Sequence, residues 1–300
     1  MMRKNYIKYI FALLLFGSNG LVASYISLTS YETVFLRTMI GSIFLLLIYC
    51  ITQKRFQLPQ NKKHTLYLMI SGAAMGASWM FLYEGYHQIG VSLATLTYYF
   101  GPVIVMAAAP FLFREKLTAT KITGIIAALL GIFLINGNDL LQGGFSWGLI
   151  CGILSAVMYA VMVVFNKLSA SITGLENAVW QLSSSFVTVA IFTFLKQGFC
   201  IPVAAGDLLP VLFLGVVNTG IGCYLYFSSI GHLTAQSVAL CGYLEPLSAL
   251  FFSAAFLQER LALIQFAGAF LILGGAAFGE YYGRKQSGLK SQVHKNDPSI

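Results

Sequence analysis

Ten apolar runs, each about 20 residues long, constrain this chain more than any other feature of its sequence. A helix of that length spans the roughly 30 Å of hydrocarbon in a bilayer. Only 9% of the residues are charged, whereas a soluble domain carries about 25%, so a polar shell around a soluble core is excluded. The runs cover residues 7–28, 32–52, 65–87, 92–113, 118–136, 147–166, 177–196, 209–230, 234–257 and 261–282.

The basic residues predict how these helices are oriented. If the N-terminus is cytoplasmic, fifteen of the 18 Lys and Arg residues fall in cytoplasmic segments. Only Lys196 and Arg260 fall outside, and Arg37 lies within the second run. An excess of cytoplasmic Lys and Arg is typical of membrane proteins. We therefore expect a multi-pass protein of the cytoplasmic membrane with both termini in the cytoplasm. A net charge of +8 could suggest a nucleic-acid partner, but the placement of the basic residues indicates that they set orientation, so we expect no nucleic-acid partner.

The sequence also repeats itself at an offset of 144 residues. The aligned pairs include Tyr99 and Tyr243, Pro102 and Pro246, Gly124 and Gly268, and Gly131 and Gly275. Each copy holds five runs, an odd number, so the second copy must enter the membrane from the opposite side. The prediction is an all-α integral membrane protein with ten transmembrane helices as two inverted-topology repeats of five, an arrangement found in many secondary transporters.

This repeat divides the chain into predicted segments. They are a cytoplasmic N-terminus at 1–6, a first repeat at 7–136, an external linker at 137–146, a second repeat at 147–282 and a disordered cytoplasmic tail at 283–300. The sequence contains no HExxH or P-loop motif. We therefore expect no enzyme activity, no cofactor and no metal site.

Several short motifs, in order along the chain, resemble EamA-type members of the drug/metabolite transporter superfamily. They are FGSNGLVAS at 16–24, FLRT at 35–38, a proline-bearing fourth helix that runs into REKL at 114–117, and YLEP at 243–246, which runs into QERL at 258–261. Phe16 departs from the tryptophan that the family often carries. The resemblance implies a central cavity lined mainly by helices 1, 3, 4, 6, 8 and 9, and export of small metabolites.

The strongest candidate for a site residue is Glu245, which lies in the middle of the ninth run. A charge at that depth costs about 2.5–3.5 kcal/mol. The proline that follows removes a backbone donor, and the freed carbonyl must face protein or water. We therefore expect Glu245 to line a cavity and to bind substrate or carry a proton; the alternative is a protonated structural carboxyl. We expect Pro102 and Pro246 to kink their helices.

Six other residues are candidates for substrate binding because they are polar or aromatic within apolar runs. They are Asn19, Trp79, Tyr98, Tyr99, Tyr224 and Tyr243. Tyrosines near Glu245 are able to receive a quaternary amine by cation–π contact. The alternative for every aromatic residue is packing or a position at the membrane interface.

The remaining charges in or beside the helices are expected to be structural or to gate the cavity. We expect Arg37 to form an ion pair with Glu84 or with Glu32, although a spacing of five residues is poor for the latter. The alternatives are a side chain that extends outward to the membrane interface and contact with substrate. Glu115 and Glu259 precede the fifth and tenth helices, where we expect them to stabilise the helix N-termini.

These features together predict a secondary transporter that works by alternating access. The favoured interpretation is an exporter of amino acids or related metabolites, with protons as a candidate coupling ion. The alternatives are an importer of a cationic or quaternary amine with the same fold, and a channel. The expected partners are a small-molecule substrate and the lipid bilayer, and the sequence leaves monomer and homodimer open.

Overall fold

The computed structural model describes residues 2–52, 61–89, 94, 97–136, 147–198, 201, 203–256, 263–264 and 266–279. Within these residues the chain is helical apart from short turns, and they contain no strand. Seven of the described helices are long and apolar enough to cross a membrane, and three apolar helices are shorter. The protein is therefore an all-helical, multi-pass membrane protein. The predicted linker at 137–146 and tail at 283–300 lie outside the described residues.

We number the helical elements α1–α10 in chain order, and three of them are interrupted. The interrupted elements are α1 (Met2–Gly17 and Asn19–Ala23), α8 (Leu208–Phe213, a π-helical segment Leu214–Ile221, and Gly222–Ile230) and α9 (Ala235–Gly242 and Leu244–Phe256). The others are α2 (Ser30–Thr52), α3 (Lys62–Ile89), α4 (Gly101–Phe113), α5 (Ala119–Asn136), α6 (Trp147–Leu168), α7 (Gly174–Gln197) and α10 (Phe266–Gly279). Each element overlaps one predicted run, and the three shorter helices are α4, α5 and α10.

The two aligned prolines each begin a helical segment. Pro102 lies in the first turn of α4, after a turn at Tyr99 and Phe100. Pro246 lies in the first turn of Leu244–Phe256, after the break at Tyr243. Proline is favoured at a helix start because its φ is already helical and its missing N–H would have no partner there. The expected kinks therefore take the form of short breaks.

The helices of the two halves pack against one another through small residues and hydroxyl groups. α3 lies against α6 and α7, and α8 lies against α1 and α2. Ser71 Oγ donates to the Met162 carbonyl at 2.6 Å, and Ser78 Oγ donates to the Ser155 carbonyl at 2.9 Å. Membrane helices associate through such close packing and hydrogen bonds because lipid offers no hydrophobic drive between them.

α5 and α10 meet at four glycines. A Cβ on Gly124 would lie 2.6 Å from the carbonyl oxygen of Gly275. A Cβ on Gly131 would lie 2.5 Å from the carbonyl oxygen of Gly268. Because both contacts are to backbone, which moves only with its helix, any larger residue there would push the two helices apart.

Glu115 stabilises a helix other than the predicted one. Its carboxylate accepts hydrogen bonds from the backbone N–H groups of Ala235 at 2.7 Å and Gln236 at 3.1 Å, in the first turn of α9. A carboxylate is favoured there because the first N–H groups of a helix have no intrahelical partner and carry partial positive charge. The assignment to the N-terminus of the fifth helix is therefore wrong. Glu259 lies outside the described residues.

Candidate substrate-binding cavity

A cavity lies within the bundle, between α1, α3, α6, α8, α9 and the residues just before α4. The space open to the centres of water molecules is about 50 Å³, which holds a few waters at roughly 10–15 Å³ each. Its walls are mostly aromatic or sulphur-containing: Phe16, Asn19, Met75, Ser78, Trp79, Tyr98, Tyr159, Met162, Cys223, Tyr226, Phe227 and Glu245. The elements that contribute these residues correspond to the helices that the resemblance implies.

Glu245 is the charged member of this set. It is the second residue of Leu244–Phe256, directly after the break at Tyr243, and its side chain is partly buried and lines the cavity. Among the described residues, none donates a hydrogen bond to its carboxylate. The carboxylate is therefore free to bind a ligand group, water or a proton.

Arg37 lies beside the cavity and does not form the expected ion pair. Its side chain is buried, and its guanidinium stacks over the Trp79 ring at 4.9 Å from the ring centroid. Nε donates to Thr219 Oγ1 at 2.9 Å, and one terminal nitrogen donates to Asn19 Oδ1 at 3.4 Å. Both hydrogen-bond partners are neutral, so the positive charge has no counter-ion in contact among the described residues.

The predicted pairing is wrong because each carboxylate has a partner elsewhere. Glu84 Oε2 lies 2.7 Å from Lys196 Nζ, and its carboxylate also accepts from Gln88 at 3.0 Å and from the Tyr31 hydroxyl. Lys196 reaches this carboxylate from the last turn of α7. Glu32 accepts from the backbone N–H and the hydroxyl of Thr29, both at 2.8 Å, at the start of α2. Glu32 therefore acts as a helix-capping residue.

Polar groups next to Arg37 hold together two irregular stretches of helix. Asn218 and Thr219 belong to the π-helical segment of α8, and Asn19 starts the second segment of α1. The Asn218 amide nitrogen lies 3.0 Å from Asn19 Oδ1 and 2.9 Å from Ser18 Oγ. π-helical turns are rare and are found frequently at functional sites. The network fixes the Asn19 carbonyl toward Arg37 and Asn218.

Tyrosines form a further part of the cavity wall. The Tyr98 and Tyr159 rings meet edge to face with centroids 5.5 Å apart, and the Tyr159 and Tyr226 hydroxyls are 3.4 Å apart. Tyr243 is fully buried, and its hydroxyl donates to the Tyr99 carbonyl at 3.2 Å. That bond joins the two helix breaks and satisfies a carbonyl of the turn before Pro102.

The sequence candidates divide into two groups in the structure. Glu245, Trp79, Tyr98 and Asn19 line the cavity. Tyr99, Tyr243 and Tyr224 are not among the lining residues; the first two pack at the helix breaks, and the Lys8 ammonium lies over the Tyr224 ring.

Sequence reasoning missed Tyr159 and Tyr226. Tyr159 lies in mid-run, away from the interfaces where tyrosine is common, and that position is a usable signal. Tyr226 lies close to the end of α8 at Ile230, so its position in the sequence gives no such signal.

Comparison with known proteins agrees with this architecture. The sequence profile of the EamA-like transporter family matches residues 4–137 and again residues 146–279. The chain belongs to the EamA-like transporter family. Among its relatives, the uncharacterized transporter YxxF of Bacillus subtilis is 26% identical over 278 residues, which cover 90% of this chain and 88% of YxxF. The uncharacterized inner membrane transporter YhbE of Escherichia coli K12 is 23% identical over 275 residues, 87% of this chain and 85% of YhbE.

Two further EamA comparisons bear on function and fold. A protein named as a probable amino-acid metabolite efflux pump of Salmonella typhimurium is 26% identical over 198 residues, covering 61% of this chain and 65% of that protein. A solved crystal structure aligns with a TM-score of 0.78 at 18% identity, covering 93% of this chain and 98% of that chain. That structural likeness concerns the fold alone.

Proposed function

We propose that this EamA protein is a secondary active transporter that exports amino acids or related metabolites across the cytoplasmic membrane by alternating access. The observation that carries the proposal is the cavity, where a carboxylate that has no partner among the described residues lies at a helix break inside an apolar bundle. Transporter sites lie at such interrupted helices, because backbone and charge are tolerated at membrane depth only where they line a cavity. The name of the Salmonella typhimurium relative supports amino acids as the substrate class.

Two halves of similar structure in opposite orientation are suited to alternating access, and the glycine contacts support this arrangement. If a two-fold axis relates the halves at an offset of 144, a contact between Gly124 and Gly275 requires an equal contact between Gly268 and Gly131. Both contacts occur at nearly the same distance. Tyr99 and Tyr243, which are counterparts of each other, also touch. The double match of the family profile supports the same ten-helix inverted repeat.

Two similar pairs of contacts, here called clasps, support a conformational cycle; they involve the counterparts Ser27 and Ser171, and their partners Asp207 and His64 lie one position apart in the repeat alignment. Ser27 donates its backbone N–H to Asp207 at 2.9 Å and its hydroxyl at 2.6 Å. Its counterpart Ser171 donates its backbone N–H to His64 Nδ1 at 3.1 Å, and its hydroxyl lies 2.6 Å from the same atom. Each clasp ties a loop of one half to the start of a helix in the other half. The two clasps are therefore suited to break and re-form alternately as the protein changes conformation.

Glu245 is the group through which protons would couple to transport. Burial disfavours the charged form of a carboxylate, whereas access to water favours it. A cavity that opens alternately to the two sides therefore gives Glu245 a different protonation in each state.

Import of a cationic amine is a second candidate function, favoured by the aromatic rings of Trp79, Tyr98 and Tyr159, which line the cavity with this carboxylate.

Flux in proteoliposomes tests the transporter proposal. Purified protein reconstituted into vesicles should carry radiolabelled amino acids with saturable kinetics and should exchange external for internal substrate. The control is an equal preparation of empty vesicles. Single-channel currents in the same membranes would favour a channel instead. Substrate uptake only by protein inserted right-side-out would favour an importer.

The proposed orientation predicts the labelling of single cysteines. Cysteines introduced at Gln60 and Ser291 should be protected from an impermeant thiol reagent in intact cells, whereas a cysteine at Gln142 should be labelled. The reason is the excess of Lys and Arg in the segments assigned to the cytoplasm. The measurement is gel shift in a cysteine-free background, with permeabilised cells as the control. Labelling of Gln60 and not of Gln142 would mean that the orientation is inverted.

A further inference from the structure

Two opposite charges lie next to the cavity without pairing. Among the described residues, the ion pair in contact is that of Lys196 with Glu84, and Arg37 and Glu245 do not form one. Arg37 contacts Asn19 and Trp79, which line the cavity that Glu245 also lines. The charges of Arg37 and Glu245 therefore sum to zero, but the site has a positive end at Arg37 and a negative end at Glu245.

Each charge has unused bonding capacity. A guanidinium carries five N–H donors, and Arg37 uses two of them on neutral acceptors among the described residues. The Glu245 carboxylate accepts no hydrogen bond from those residues. Asn19 directs its carbonyl oxygen to Arg37 and Asn218, so its NH₂ group points away from them and is available to a ligand in the cavity. The site thus offers an acceptor at one end and donors at the other.

The balance of charge decides which ligand fits such a site. A buried charge is costly unless it is paired. A monocation bound at Glu245 would leave the charge of Arg37 uncompensated, and a monoanion bound at Arg37 would leave that of Glu245 uncompensated. A ligand with both charges compensates both at once. This argument disfavours the simple cationic amine that the aromatic wall alone would accept.

We propose that the cavity is selective for zwitterions, with Glu245 receiving the ammonium group of an α-amino acid and Arg37, together with Asn19, receiving its carboxylate. The aromatic and methionine residues of the wall surround the rest of the molecule. The proposal rests on the transport function proposed above and makes Arg37 a specificity-determining residue. The cavity must widen to admit an amino acid, which the interrupted helices α1, α8 and α9 around it permit.

The test compares an amino acid with two analogues that each lack one charge. The twenty proteinogenic amino acids are screened by thermal shift on the purified full-length protein. The decarboxylated amine and the deaminated acid of the best binder are then titrated by calorimetry. Wild-type protein should bind the amino acid at least about tenfold more tightly than either analogue, since each analogue loses a hydrogen bond to a charged group.

Two variants assign the discrimination to residues. Arg37→Gln should weaken amino-acid binding about tenfold, or more, and strengthen amine binding, because the uncompensated positive charge is gone; the preference over the amine therefore disappears. Arg37→Lys keeps the charge and should restore part of that preference, which a purely structural role would not do. Glu245→Gln should remove the preference over the acid instead, and it decides the question if Arg37→Gln yields no folded protein.

Three results would overturn the inference. They are failure of all twenty amino acids to bind, an amine that binds wild type as tightly as its amino acid, and an unchanged preference in folded Arg37→Gln together with Glu245→Gln. Its failure can be told apart from failure of the transport proposal. Proteoliposomes that accumulate another compound from a metabolite mixture would uphold the transporter and still reject zwitterion selectivity.

Discussion

Glu245→Gln should lower substrate flux by about ten- to 100-fold while leaving the protein folded and inserted in the membrane. Glutamine keeps the shape of the side chain and removes the charge and the ability to exchange a proton. A hydrogen bond to a charged group contributes about 1.5–3 kcal/mol, which corresponds to this loss. The measurement is initial flux in proteoliposomes across a pH series, normalised to folded protein.

The pH series separates a transport role from a binding role. If Glu245 carries the coupled proton, flux through wild type should change with pH and flux through Glu245→Gln should not. Glu32→Gln is the matched control, because Glu32 is a partly buried capping carboxylate that does not line the cavity. Its flux and pH profile should equal those of wild type. Equal rates and equal pH profiles for Glu245→Gln and wild type would mean that the carboxylate is structural only.

The helices and the position of Glu245 could be read from the sequence because their causes are local. An apolar run of about 20 residues has few structures open to it in a bilayer. A carboxylate followed by a proline in such a run is costly anywhere except beside a cavity. The alignment of the two prolines predicted kinks at corresponding positions, and the structure has breaks there, at Tyr99 and Tyr243.

The partners of charged groups could not be predicted because they are set by distant packing. Glu84 and Arg37 were expected together from their depth alone, yet Lys196 from α7 reaches Glu84 first. Glu115 binds the start of α9, which follows it by 120 residues in the chain. Long side chains near helix ends reach several neighbours, and only the packing of the helices decides between them.

The π-helical segment of α8 gave no sequence signal that we recognise. Leu214–Ile221 contains no proline, and its apolar residues fit an ordinary helix as well. Thr219 Oγ1 donates to the Leu214 carbonyl at 2.8 Å while it accepts from Arg37 Nε at 2.9 Å. The irregular backbone is therefore tied to the buried arginine, whose surroundings depend on three helices at once.

Gly17→Ala should destabilise the protein and impair transport, because α1 and α9 touch at this glycine. A Cβ on Gly17 would lie 2.8 Å from the carbonyl oxygen of Glu245 and 2.9 Å from the backbone nitrogen of Ala249, and it would overlap the Ser248 hydroxyl. Backbone atoms yield only if the helices separate. Overpacking of this kind costs about 1–3 kcal/mol, and the separation would occur at the residue that carries the charge.

Gly20 provides a matched control three residues further along the same element. A Cβ on Gly20 would meet nothing within 4 Å. Gly20→Ala should therefore leave flux unchanged, and it should hold or raise the melting temperature, since alanine favours a helix over glycine by about 1 kcal/mol. The measurements are thermal unfolding in detergent and flux in proteoliposomes.

A double variant separates the side-chain contact from the backbone contacts. Adding Ser248→Ala to Gly17→Ala removes the overlap with the hydroxyl but keeps both backbone contacts, so it should restore only part of the lost stability and flux. Equal melting temperatures and equal flux for Gly17→Ala and Gly20→Ala would mean that α1 and α9 are not in close contact at Glu245.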